Sequence, residues 1–482
     1  MKYNRLLYIL FFAIIPAFVA CHDEEEEPEE VTYSSATNTA VTSFTLRSDT
    51  ILENLESVFF TIDLRGRRIF NADSLPVGTD VSRLRVSIGY PTDAKEVVIR
   101  MQGGEYKGDA ELNYLESEYD SIDFTGKVFL KIVAQNEKDS TIYDVSVNVH
   151  KLNPDSIYWD QLAVKSLPSK DTPVEQKTVS YNGMVYSLIM TESGYKVYAI
   201  DNPILDNWVE HDVMFLFTPR INTFAATSDA FYILSNDGKL YRSEDACSWS
   251  IAPGSTQTYY NLYGGYTDKL LAVVKISDDE FYRAYMYSVD RGDVDLGEIP
   301  LRLPVDGFSQ LATYESEAAL DPQVVMVGGS DMFGEYSSAC WGFDGDKWAQ
   351  ISASELPQMY GPMIIPYSRY KVNGRWIATK YDVLIAIGGR DAYDNTNKRV
   401  FYSYDNGVYW VEGSSLMQFP DYFPTVVGAQ AIVAGVEYTR SDYSITWECP
   451  YIYVFGGTDL AGNLNNTIWR GVLNRLSFKP LI

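Results

Sequence analysis

Along residues 31–153, apolar and polar side chains alternate with a period of two, in short runs broken by turn residues. V-F-F-T-I-D-L at 58–64, R-L-R-V-S-I at 83–88 and V-F-L-K-I-V at 128–133 are such runs. In Y-D-V-S-V-N-V, Tyr143, Val145, Val147 and Val149 fall on one face. This is the pattern of strands with one buried and one wet face. Arg65-Gly66-Arg67 and Gly103-Gly104 supply turns between them, and no 3.6-residue stripe competes. The segment is therefore expected to be a β-sandwich. Asn153 and Pro154 disfavour continuing a strand, so the following stretch reads as a short linker.

The sandwich is expected to be Ig-like in architecture if not in topology, with Arg65, Arg67 and Arg68 forming a solvated hairpin tip. From residue 154 to 482 the pattern changes. Three strongly apolar strands end in paired glycines: V-V-M-V-G-G at 324–329, V-L-I-A-I-G-G at 383–389 and Y-I-Y-V-F-G-G at 451–457. Each is followed by an aromatic strand, at 340–344, 400–405 and 467–471, and Trp348 and Trp410 close the first two units. The diglycines Gly328, Gly329, Gly388, Gly389, Gly456 and Gly457 resemble those of the kelch repeat of β-propellers. Glycine suits such a position because it lacks a Cβ and tolerates a tight turn. Upstream, strand pairs at 184–200, 230–243 and 270–288 keep the rhythm without the diglycine, and Trp208 and Trp249 follow the first two. The spacing is near the 40–50 residues of known propeller repeats. An all-β chain with a six-bladed propeller over 154–482 is expected, or seven blades if Tyr158–Val164 contributes more than a closing strand.

Within this region Ser403, Asp405, Gly407 and Trp410 match S-x-D-x-G-x-x-W, which resembles the Asp-box of sialidases and other propellers. Weaker copies are S-E-D-A-C-S-W at 243–249 and S-V-D-R-G at 288–292. The chemistry is that of a turn: a carboxylate accepts backbone N–H groups, glycine takes a positive φ, and tryptophan fills a seam. Asp405 is expected to be a turn residue rather than a catalytic acid.

The first twenty residues change the picture of where the protein resides. Lys2 and Arg5 precede about fifteen apolar residues ending in F-V-A-C, which reads as a secretory signal. It resembles a lipoprotein signal, which would leave Cys21 as a lipidated N-terminus. An acidic tether follows at 21–30, with seven carboxylates between Asp23 and Glu30. It resembles the surface-export signal of Bacteroidetes lipoproteins, implying a protein anchored in the outer membrane and facing outward. The net charge is −26, and the remainder stays strongly acidic without the tether. Such a body repels phosphate backbones, so nucleic acid is not expected as a partner. Cys247, Cys340 and Cys449 are an odd set without close spacing, so no disulfide framework is expected, and they are read as small apolar strand residues.

Candidate chemistry is sparse. The second region holds a single histidine, His211, which cannot build the paired imidazole site of a copper radical oxidase. A sialidase needs an arginine trio, and T-P-R-I at 218–221 matches that family's F-R-I-P poorly. Hydrolases or lyases needing two carboxylates or a Tyr/Lys set stay open. The polar loop D-A-Y-D-N-T-N at 391–397 could offer calcium ligands but reads as a loop, and no metal or cofactor is expected. The order of modules, with I-F-N-A-D-S-L-P-V-G-T-D at 69–80 and D-S-I-Y-W at 155–159, resembles a Bacteroidetes surface lipoprotein family of uncharacterised function. The leading expectation is non-enzymatic binding of a glycan or surface protein through propeller loops. The alternative is a glycan-active enzyme using the central pocket.

Overall fold

The computed structural model describes residues 37–474, apart from 48–50, 53, 72–73, 152, 154–155, 277–280, 315–321, 355, 373–377, 435–436, 440–445 and 449–450. Cys21, the acidic tether and Cys449 therefore lie outside the described residues. The chain divides into two compact units between Lys151 and Leu152.

In the first unit the alternating runs do become strands. Six of them form one sheet, in the order Phe60–Asp63, Arg68–Asn71, Ser140–Ser146, Lys127–Val133, Glu96–Gly104, Gly108–Asn113. Ser43–Leu46 and Val86–Gly89 form a separate two-stranded ribbon. Val97, Ile99 and Met101 point into a core shared with Phe44, Val86 and Ile88 of the ribbon, while Arg100 and Gln102 face water. Arg68–Asn71 pairs parallel to Ser140–Ser146. This division of strands, six and two with one parallel pair, differs from the antiparallel four-and-three of an Ig constant domain. The Arg65–Arg68 stretch is a hairpin tip, as its composition suggests, with Asp63 accepting from the Gly66 N–H at 2.7 Å.

The second unit contains six sheets of four strands each and a two-stranded ribbon, Glu437–Thr439 with Thr446–Glu448. Sheets I to V take consecutive strands over residues 173–213, 219–251, 259–298, 312–350 and 363–412. Sheet VI takes Gln430–Ala434, Tyr451–Phe455 and Ile468–Asn474, and its outer edge is completed by Ser156–Trp159 from the start of the unit. Residues 158–164 thus supply one closing strand and a short 3₁₀ turn, not a further sheet.

Six separate apolar clusters each join one sheet to the next, from I–II through V–VI and back from VI to I. A sheet buried on both faces needs apolar residues at successive positions, which is why Phe231–Ser235 and Gln323–Val327 lose the simple alternation. The seams take the tryptophans: Trp249 at I–II, Trp348 at III–IV, Trp410 at IV–V, and Trp159 and Trp469 at V–VI.

The ring depends on its closing strand. Trp159 is fully buried against Phe419 and Phe423, with ring centroids 5.2 and 4.8 Å away. Gly471 on the neighbouring strand lies under its indole, where an added Cβ would sit 2.6 Å from the ring. Arg470 pairs with Asp160 beside it.

Candidate functional site

The inner strands of the six sheets surround a cavity of about 630 Å³. Most of its polar lining is uncharged, including Thr178, Asn222, Asn261 and Ser309, with the rings of Phe308 and Tyr360 among the apolar groups. Two charged side chains line it: Lys177 and Asp306.

Asp306 sits in the chain leading into sheet IV. It accepts a hydrogen bond from the Tyr360 hydroxyl at 2.6 Å and another from Asn261 Nδ2 at 3.3 Å. Burial and the adjacent carboxylate push the Tyr360 phenol far above its usual range, so it stays a proton donor. The Arg390 guanidinium lies 5.1 Å from the centre of the same ring. Gly307 makes room for this arrangement, since a Cβ there would lie 2.1 Å from the Tyr360 ring.

Backbone bonds then link the lead-ins of three sheets. Gly361 N–H donates to Gly307 O at 2.7 Å, and Gly428 N–H donates to Gly361 O at 2.8 Å. Gln310 reaches from sheet IV to the other two, its Nε2 donating to Ile364 O at 3.0 Å and Ala431 O at 2.7 Å. Gln430 ties sheet VI to sheet I by accepting from Thr178 N at 3.0 Å and Gln176 Nε2 at 2.9 Å. The cavity wall is thus held rigid by bonds that cross sheet boundaries.

Lys177 differs from these groups. It lies between Gln176 and Thr178, so strand alternation turns it to the face with Val179, away from Gln430 and toward sheet II. Among the described residues no carboxylate comes within 4.0 Å of its ammonium and no hydrogen bond reaches it. Desolvation alone lowers its pKa to about 8.

The residues singled out by sequence motifs lie elsewhere. Ser403, Asp405, Gly407 and Trp410 form the turn between Val400–Ser403 and Val411–Glu412, the outer strands of sheet V. Asp405 Oδ1 accepts from the Ser403 hydroxyl at 2.8 Å and from Tyr409 N–H at 2.9 Å. The Gly407 N–H donates to Ser403 Oγ, and Trp410 Nε1 donates back to Gly407 O. The weaker copy in sheet II repeats this geometry: Asp245 accepts from Cys247 and Ser248 N–H, and Trp249 Nε1 donates to Ala246 O. Cys247 therefore occupies a turn rather than a strand, because the carboxylate beside it needs its N–H; Cys340 is buried in a strand, and neither forms a disulfide.

The three diglycines follow the second strand of sheets IV, V and VI, all six glycines at positive φ. In the sheet IV and VI pairs the first glycine faces the next sheet, and in all three pairs the second faces its own lead-in. A Cβ at Gly328 would lie 2.5 Å from Pro362, and at Gly329 2.8 Å from Asp306 O. A related signal went unread in the sequence: G-G-x-D recurs three times, and Asp331, Asp391 and Asp459 each accept two backbone N–H groups in the ensuing turn. The 391–397 loop is one of these turns, and no group of three potential metal-ligating His, Cys, Asp or Glu side chains occurs among the described residues.

No arginine lines the cavity among the described residues. Arg220 donates to Tyr260 O, and Arg242, Arg283, Arg302, Arg390 and Arg470 each pair with nearby carboxylates. His211 lies exposed on the outer strand of sheet I. Lys177, Asp306 and Tyr360 carried no motif, and only the ring closure brings them to one cavity.

Residues 153–481 match the family model described as the DUF6242 beta propeller domain, and residues 31–147 match the domain of unknown function (DUF6242) N-terminal domain. No curated protein matches the chain. Similar solved structures include AofleA from Arthrobotrys oligospora, at 12% identity and a TM-score of 0.35, covering 65% of this chain and 89% of that one. Others are the N-terminal domain of Nup159, at 10%, 0.32, 66% and 95%, and YCF48 bound to D1 peptide, at 10%, 0.33, 69% and 99%.

Proposed function

We propose that this chain, which belongs to the DUF6242 family, is a lipid-anchored surface protein that binds a glycan or a protein partner at its β-propeller. Its finer character is that of a six-bladed, kelch- and Asp-box-like propeller carried behind a β-sandwich module of non-Ig strand order. The observation that carries the binding reading is the distribution of polar groups. The motif carboxylates Asp245 and Asp405 are engaged by turn backbone, whereas the cavity offers mainly hydroxyls, amides and aromatic rings. Neutral donors and acceptors beside aromatic faces suit a hydroxylated ligand.

One observation favours the enzymatic alternative. Lys177 and Tyr360 line the same cavity, and a lysine with a lowered pKa and a phenol are groups that can move protons in a lyase. A glycan array on the protein without residues 1–30, followed by assay of the bound glycans for product release, separates the two. Binding without turnover is expected; release of sugar or unsaturated product overturns the binding reading. The anchor is supported by the basic, apolar and F-V-A-C order of the first twenty-one residues. Cys21→Ser is expected to move the protein from the membrane to the soluble fraction, and retention in the membrane would contradict the anchor.

A further inference from the structure

We propose that the central cavity takes a small hydroxylated carboxylate of sugar-acid size, with the ammonium of Lys177 as the group that holds the ligand's charge. This rests on the binding reading above and narrows it to a ligand class.

The argument starts from an imbalance. The chain is strongly acidic, and most of the cations described on the ring, Arg242, Arg283, Arg302, Arg390 and Arg470 among them, have a carboxylate or carbonyl beside them. Lys177 is only partly exposed, lines the cavity, and has neither. A desolvated ammonium without a counter-charge is unfavourable, and an anionic ligand is what relieves it. The cavity's other charge does not serve, because Asp306 is engaged by Tyr360 and Asn261. A wall with one available cation and many neutral donors and acceptors selects a ligand with one carboxylate and several hydroxyls. A volume of about 630 Å³ lies within the range of small-molecule sites. Phosphate esters fit less well, since they favour several cations or a run of backbone N–H groups.

The ionisable groups on the cavity wall besides Lys177 are Asp306, Tyr263 and Tyr360. Burial pushes both phenols well above their usual range, so they stay neutral where the amine titrates. With the amine at about 8, acid-selective binding is strongest below that pH and fades above it.

The test titrates D-glucuronate, with D-glucose as neutral control, into the protein carrying ¹³C-dimethylated lysines, the Lys177 signal being assigned with K177R. Glucuronate is expected to shift that signal saturably, with an affinity about ten- to a hundred-fold above any response to glucose, the range of one charge-assisted hydrogen bond. The response should weaken as the pH rises past about 8. K177M should lose the preference while K177R keeps most of it. Equal response to glucose, or no response to either sugar, overturns the inference, and because the signal is read on the unsubstituted protein this does not depend on a variant folding. A glycan captured on the array while Lys177 stays unmoved would overturn this inference and leave the binding reading standing. Product release from the array would strike that reading instead.

Discussion

At Gly407 the chain turns with φ of 98°, and a Cβ would come within 2.7 Å of the Cys340 sulfur across the IV–V seam. Gly407→Val should therefore lower stability by about 1–3 kcal/mol through backbone strain and overpacking. Urea denaturation checks this, and an unchanged midpoint would contradict the seam geometry. The companion turn in sheet II gives a pH prediction. Burial of Asp245 would raise its pKa, but the N–H groups of Ser248 and Cys247 and two hydroxyls outweigh it and lower it to about 2. Its folded value lies below its unfolded one, so its contribution is complete above the ordinary aspartate range. It is lost as pH falls from there toward about 2. Asp245→Asn should flatten the loss of stability over that window, measured by denaturant melts at stepped pH. The turn chemistry of Asp405 was legible because serine, aspartate, glycine and tryptophan each have one evident use at that spacing. Lys177 was not, because nothing in E-Q-K-T-V-S tells an inward lysine from one in water.

Among elements, the strand Ser156–Trp159 has the largest leverage, since it joins the start of the ring to its end. Trp159→Ala should lower stability by about 3–5 kcal/mol, as removal of a fully buried aromatic does. Trp159→Phe should cost about 1.5 kcal/mol or less, because the indole Nε1 has no hydrogen-bond partner among the described residues. Chemical denaturation of both variants tests this, and equal losses would show that the indole N–H matters after all. The strands themselves were readable from apolar runs and paired glycines. The role of Gly471 was not, because a glycine that yields to a ring 312 residues away in sequence shows itself only after closure.

At the scale of the molecule, the two units have separate apolar cores, one in residues 37–151 and six seams in the other. Calorimetry should show two transitions, with Trp159→Ala lowering only one of them; a single transition shifted as a whole would contradict independent cores. Six repeating units were visible from the sequence because each carries its own strand pair. The division of strands in the first unit was not, since alternation fixes which face is buried but not which strands are neighbours.

The most direct test of the whole account is hydrogen–deuterium exchange of the protein with and without the strongest glycan found on the array. Slower exchange is predicted at the cavity wall, in residues 176–180, 305–310, 360–361 and 427–431. Slowing confined to residues 37–151, or to the outer-strand turns around Asp245 and Asp405, would contradict it.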